Sequence, residues 1–149
     1  MKSVRFGDTL RLLAEHQVEF IVVGMTAAIL QGVPLTTMDV DVVHRRTREN
    51  VARVLGVLAE LHAIYRSDSR KLAPTESHLM GPGHQLLTTD YCDLDCLGTI
   101  DDGKTYDDLL TSTTEISLAQ GLSVRVLNLS ALSTPLLVRS QQRRYLRDE

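Results

Sequence analysis

The chain has 149 residues, which suits one self-sufficient domain spanning 1–149. Hydrophobic residues make up 43% and charged residues 23%, values that exclude collagen-like, low-complexity and disordered chains. With 16 Lys and Arg against 19 Asp and Glu the net charge is −3, so no global basic field draws in nucleic acid or an anionic membrane. An aromatic content of 4% without Trp also argues against a stacking platform for single strands.

From Phe6 to His16, Leu10, Leu12, Leu13 and Ala14 fall near helical spacing with Arg11, Glu15 and His16 outward. Val18 to Val23 is β-branched and aromatic, a strand stopped by Gly24. Met25 to Gln31 reads as a short helix of small residues ended by Gly32 and Pro34, and Met38 to His44 as the next strand. Thr47 opens a helix that turns Val51, Val54, Leu55, Leu58 and Leu61 inward. Loop signals at Ser67-Asp68-Ser69 and Pro74 precede a second half that reads mainly as β. There His84–Thr89 and Tyr91–Leu97 are neighbouring strands linked tightly at Asp90, Thr105–Leu110 is a short helix, and Leu122–Leu127 alternates as a strand. Asn128 or Ser130 is placed to cap a last helix running into Arg139–Arg147. The pattern describes a single mixed α/β (α+β) unit, a twisted mixed sheet with flanking helices.

Cys92 and Cys96 are too few for a disulfide framework or a four-ligand zinc site. On one strand face they stand about 13 Å apart, beyond disulfide reach, and read as buried reduced thiols. Neither a signal core nor an apolar run of membrane-spanning length is present, so the expected location is the cytoplasm, with no membrane partner. His16, His44, His62, His78 and His84 have no metal-ligand spacing, and His44 falls on the strand face opposite the acidic one, where a structural role is expected. Ser67-Asp68-Ser69-Arg70-Lys71 reads as a surface loop, and the arginines of 139–147 as a solvated helix face or a local basic patch for RNA.

The chemistry-bearing feature is Asp39-Val40-Asp41 inside an apolar strand. Strand side chains alternate, so both carboxylates share a face, about 6–7 Å apart, while Val40 and Val42 face the core. Taken alone, this also fits an edge strand with one solvated side. Asp93 and Asp95 repeat the pair on a second apolar strand, and Gly24 upstream lets the backbone approach a ligand closely. Four carboxylates on the same faces of two strands suggest a hard-cation site for phosphoryl or nucleotidyl transfer, with Mg²⁺ or Mn²⁺ as cofactor. A metal-dependent nuclease shares the acidic pairs but leaves Gly24 and its small-residue helix unexplained.

Val22-Val23-Gly24-Met25-Thr26-Ala27-Ala28, continuing through Gly32-Val33-Pro34-Leu35-Thr36-Thr37-Met38-Asp39-Val40-Asp41-Val42, resembles the signature of the nucleotidyltransferase superfamily. Leu94-Asp95-Cys96-Leu97-Gly98-Thr99-Ile100, Tyr106-Asp107-Asp108-Leu109-Leu110 and Val124-Arg125-Val126-Leu127-Asn128-Leu129 extend the likeness, which is greatest to minimal and toxin–antitoxin-type members. The resemblance implies a nucleotidyltransferase-like fold and transfer of a nucleoside monophosphate from a nucleoside triphosphate to a hydroxyl of an RNA or protein acceptor. It also implies a helical partner chain. Asp39, Asp41 and Asp95 would be catalytic and would bind metal, with Asp93 as a further ligand. Gly24, Met25 and Thr26 would meet the nucleotide, Thr26 through its hydroxyl. Met25 stands where the family has a second small residue, and Arg139–Arg147 lacks the family's lysines. Both departures fit an alternative, a catalytically altered relative that binds nucleotide or a partner.

Overall fold

The computed structural model describes residues 5–34 and 39–132. In chain order the elements are α1 (Phe6–Glu15), β1 (Phe20–Val23), α2 (Gly24–Leu30), β2 (Asp39–His44), α3 (Arg48–Glu60), β3 (Ile64–Tyr65), α4 (Glu76–Met80), β4 (His84–Thr88), β5 (Asp93–Leu97), α5 (Tyr106–Leu109), β6 (Thr113–Ser117) and β7 (Ser123–Leu127). The strands form one mixed sheet in the order β3-β4-β5-β2-β1-β7-β6. β2 runs antiparallel to β1 and parallel to β5, and β1 is parallel to β7. With a strand on each side and all six of its residues buried, β2 is central, which overturns the edge-strand reading of its acidic face.

Period-two alternation gives the sheet two apolar faces. On one face Val22, Val40, Val42, Leu94, Cys96 and Val126 pack with Leu10 and Leu13 of α1 and with Val51, Val54 and Leu58 of α3. On the other, Ile21, Val23, Val43, Leu97 and Leu127 pack with Tyr106 and Leu109 of α5. Thr47 caps α3 by accepting from the Asn50 N–H at 3.2 Å. Buried Asn50 closes the corner by donating to the Glu19 and Arg45 carbonyls at 2.9 and 2.8 Å and accepting from the Glu19 N–H at 2.7 Å. Cys92 and Cys96 are both buried thiols outside any disulfide, as expected.

β3, α4 and β6 have no counterpart in the sequence pattern. β3 is two residues long, and β6 is a polar edge strand whose residues are at most half-buried. α4, five residues long, is held by a capping box in which Thr75 accepts from the His78 N–H and His78 Nδ1 accepts from the Thr75 N–H. The expected helix over Arg139–Arg147 and the strand start at Met38 lie outside the described residues.

His44 lies on the face opposite the acidic pairs, with 1% of its surface exposed. Its Nε2–H donates to the Leu79 carbonyl at 2.7 Å, and Nδ1 has no hydrogen-bond partner among the described residues. Burial lowers its pKa below the ordinary histidine value, the Leu79 bond opposes this, and Arg46 adds to the lowering. A depressed histidine pKa means that the unfolded chain takes up a proton the folded chain refuses. This contribution to stability is intact above about pH 6.5 and is lost as pH falls below it. Urea unfolding at a series of pH values between about 7 and 5 is expected to show stability falling with acid, and His44→Asn is expected to flatten that slope.

Candidate active site

The acidic residues come from adjacent parallel strands in exact register: Asp39 pairs with Asp93 and Asp41 with Asp95. Opposed residues point to one face, and neighbouring strands lie about 4.8 Å apart, so the four carboxylates form a two-by-two cluster at the N-terminal ends of β2 and β5. Asp39, Asp41 and Asp95 are 2%, 1% and 0% exposed, and Asp93 is half-buried. Three buried carboxylates in one cluster are costly without cations and hydrogen-bond donors to offset them.

The antiparallel partner of β2 brings the glycine to the same place. Val23 pairs with Asp41, and the chain turns at Gly24, whose φ is +66°, straight into α2. A Cβ at residue 24 would stand 2.3 Å from Asp41 Oδ2, so only glycine permits this approach. α2 is pinned over the sheet by two side chains. The Thr26 hydroxyl donates to the Asp39 carbonyl at 2.8 Å, and Gln31 Nε2 donates to the Leu127 carbonyl at 2.8 Å. Thr26 therefore fixes the start of β2 and is 1% exposed, in contrast to the nucleotide contact implied for its hydroxyl. Met25 is 3% exposed, so its thioether is tucked into the protein.

The residue that sequence reasoning missed is Arg66. It follows β3 directly, and its N–H extends the β3–β4 ladder by donating to the Leu86 carbonyl at 3.3 Å. Leu86 pairs with Asp95, so Arg66 stands in the same cross-sheet row as Asp95 and Asp41. Its Nη1 donates to Asp95 Oδ1 at 2.7 Å and to the Leu87 carbonyl at 3.0 Å, and its side chain is 14% exposed. Burial works against the guanidinium charge, but the Asp95 bond and the attraction of Asp95, Asp93 and Asp39 outweigh it, and the net effect raises the Arg66 pKa. No sequence motif marks Arg66, because it acts from two strands away and follows an edge strand too short to show a pattern.

Among the described residues, no three His, Cys, Asp or Glu side chains are arranged to hold a metal ion. Asp95 Oδ1 accepts from Arg66 Nη1 at 2.7 Å. The donor set nonetheless fits a single hard cation. Asp39 and Asp41 bring two carboxylates to one face, the lack of a Cβ at Gly24 lets the chain pass beside Asp41 Oδ2, and Mg²⁺ or Mn²⁺ is commonly held by one or two carboxylates with water and phosphate completing the shell.

No protein-family model matches the chain, and no curated protein matches it in sequence. A crystal structure from Thermotoga maritima, of a protein provisionally named a nucleotidyltransferase, is similar with a TM-score of 0.58 and 21% identity, over 97% of this chain and 93% of that one. The fold is nucleotidyltransferase-like. In this nucleotidyltransferase-like fold the acidic strands are the central β2 and its parallel neighbour β5. No helix among the described residues is long and apolar enough to cross a membrane.

Proposed function

We propose that the chain is a metal-dependent nucleotidyltransferase that moves a nucleoside monophosphate from a nucleoside triphosphate to a hydroxyl of an RNA or protein acceptor. The observation that carries this reading is the two-by-two carboxylate cluster in register on β2 and β5, met by the Gly24 turn at its edge. In the reaction the acceptor oxygen bonds to the α-phosphorus, the bond from that phosphorus to the bridging oxygen breaks in line, and pyrophosphate leaves. Asp39 and Asp41 hold the divalent cation, which supplies the positive charge that neutralises the phosphate oxygens. Gly24 gives the triphosphate room beside Asp41, and the Asp95 carboxylate takes the proton of the acceptor hydroxyl. A cytoplasmic location, a helical partner chain and a toxin–antitoxin setting complete the reading, the last two on the sequence resemblance.

The Asp95–Arg66 ion pair favours a second reading, a nucleotide-binding module that has kept the fold and lost the base. Incubation of the purified chain with labelled nucleoside triphosphates, Mg²⁺ and total RNA or protein separates the two. Label transfer is expected, reduced about a hundredfold or more in Asp39→Asn and in Asp41→Asn, as for other losses of transition-state charge stabilisation. Absence of transfer, together with nucleotide binding that ignores Mg²⁺, sinks the enzyme in favour of the module.

A further inference from the structure

Arg66 supplies a fixed positive charge inside the acidic cluster. Its guanidinium lies in the row Arg66–Leu86–Asp95–Asp41, reaching over β4 from the edge of the sheet. The two N–H bonds of Nη1 go to Asp95 Oδ1 and the Leu87 carbonyl, whereas Nε and Nη2 make no hydrogen bond to the described residues. A guanidinium stays protonated at any pH the fold survives, so the charge is permanent. A guanidinium nitrogen 2.7 Å from Asp95 Oδ1 puts a fixed positive charge where it would repel a metal ion seated between Asp95 and Asp41.

We propose that Arg66 is the second cation of the site: it takes the seat beside Asp95 that a second metal ion would fill, so that the chain binds one divalent ion, held by Asp39 and Asp41. The inference rests on the nucleotidyl-transfer reading and states its metal count. The two cations then differ in kind. The ion of Asp39 and Asp41 is exchangeable, whereas Arg66 belongs to the protein and holds its Nε and Nη2 donors ready for a phosphate oxygen beside Asp95.

The test uses Mn²⁺ alone, titrated into the full chain without nucleotide, with bound ions counted from the loss of the free-ion electron paramagnetic resonance signal. One Mn²⁺ per chain is expected, weakened by about tenfold or more in Asp41→Asn. Arg66→Gln is expected to bind two, the second through the released Asp95, and Arg66→Lys, which keeps the charge, to bind one. Asp95→Asn is expected to retain the single ion with its affinity within about threefold of the parent, less than the loss of even an outer-shell partner usually causes. Two ions in the parent chain, a single ion in Arg66→Gln, or a loss of about tenfold or more in Asp95→Asn overturns the proposal. Should Arg66→Gln fail to fold, as read by circular dichroism, the Asp95→Asn and Arg66→Lys titrations still decide. Mn²⁺ binding that is absent from the parent, or unaffected by Asp41→Asn, instead removes the metal-dependent reading itself, so the two failures are distinguishable.

Discussion

Gly24→Ala is expected to cost about 2–4 kcal/mol of stability and to weaken Mn²⁺ binding about tenfold or more. Two effects add. An L-residue at φ +66° costs about 1–2 kcal/mol. The new methyl would also stand 2.3 Å from Asp41 Oδ2 and 3.2 Å from its Cγ, so a buried carboxylate would have to turn away. The double variant Gly24→Ala/Asp41→Ala separates them: with the carboxylate gone, only the residue-41 Cβ at 3.3 Å remains close, and the alanine at 24 should cost little beyond the backbone part of about 1–2 kcal/mol. Gly98→Ala is the contrasting case. Its Cβ would meet backbone, the Gly81 carbonyl oxygen at 2.3 Å and Pro82 atoms at 2.8 and 2.9 Å, and no side-chain truncation relieves that. Chemical unfolding of Gly98→Ala should show a loss of about 3 kcal/mol or more with the Mn²⁺ affinity of the folded fraction preserved. Equal metal affinity in Gly24→Ala and its parent would show that Asp41 is not held in place by the glycine.

How much of this site was legible depends on the range over which each residue acts. Asp39 and Asp41 could be read because strand side chains alternate, a rule that needs only two residues of separation, and Asp93 and Asp95 followed in the same way. The alignment of one pair with the other is a matter of register between β2 and β5, more than fifty residues apart in sequence, and no local pattern encodes it. The central position of β2 was equally hidden, since a polar face inside a sheet looks like a solvated edge until its neighbours are known. Helix starts fared well, because Thr47 and Thr105 cap locally through their own side chains. The hydroxyl of Thr26 shows the opposite: residue type suggests a ligand contact, but the fold gives it a backbone carbonyl thirteen residues away. Arg66 was beyond reach. An arginine after an edge strand of two residues is ordinary in sequence, and its partner lies across two strand pairings.

Arg66→Met is expected to lower stability by about 3 kcal/mol, a fall of roughly 6–10 °C in Tm, because it leaves the 0%-exposed Asp95 without its guanidinium. The cost lies in the abandoned carboxylate more than in the lost bond, since a buried ion pair owes much of its attraction to the water it gave up. Replacing both partners should therefore recover most of the loss, with Arg66→Met/Asp95→Leu within about 1 kcal/mol of the parent, as happens when buried pairs are exchanged for apolar side chains of similar volume. Divalent metal then separates packing from charge. Mn²⁺ at a hundred times its Kd stabilises a one-site protein by about 2.7 kcal/mol. If Asp95 released from Arg66 becomes a second site, Arg66→Gln gains twice from saturating Mn²⁺, and its deficit against the parent narrows by about that amount. Thermal unfolding with and without Mn²⁺ reads this directly. A deficit that metal leaves unchanged would mean that Arg66 holds β3, β4 and β5 together by packing alone, and that its charge plays no part in the metal site.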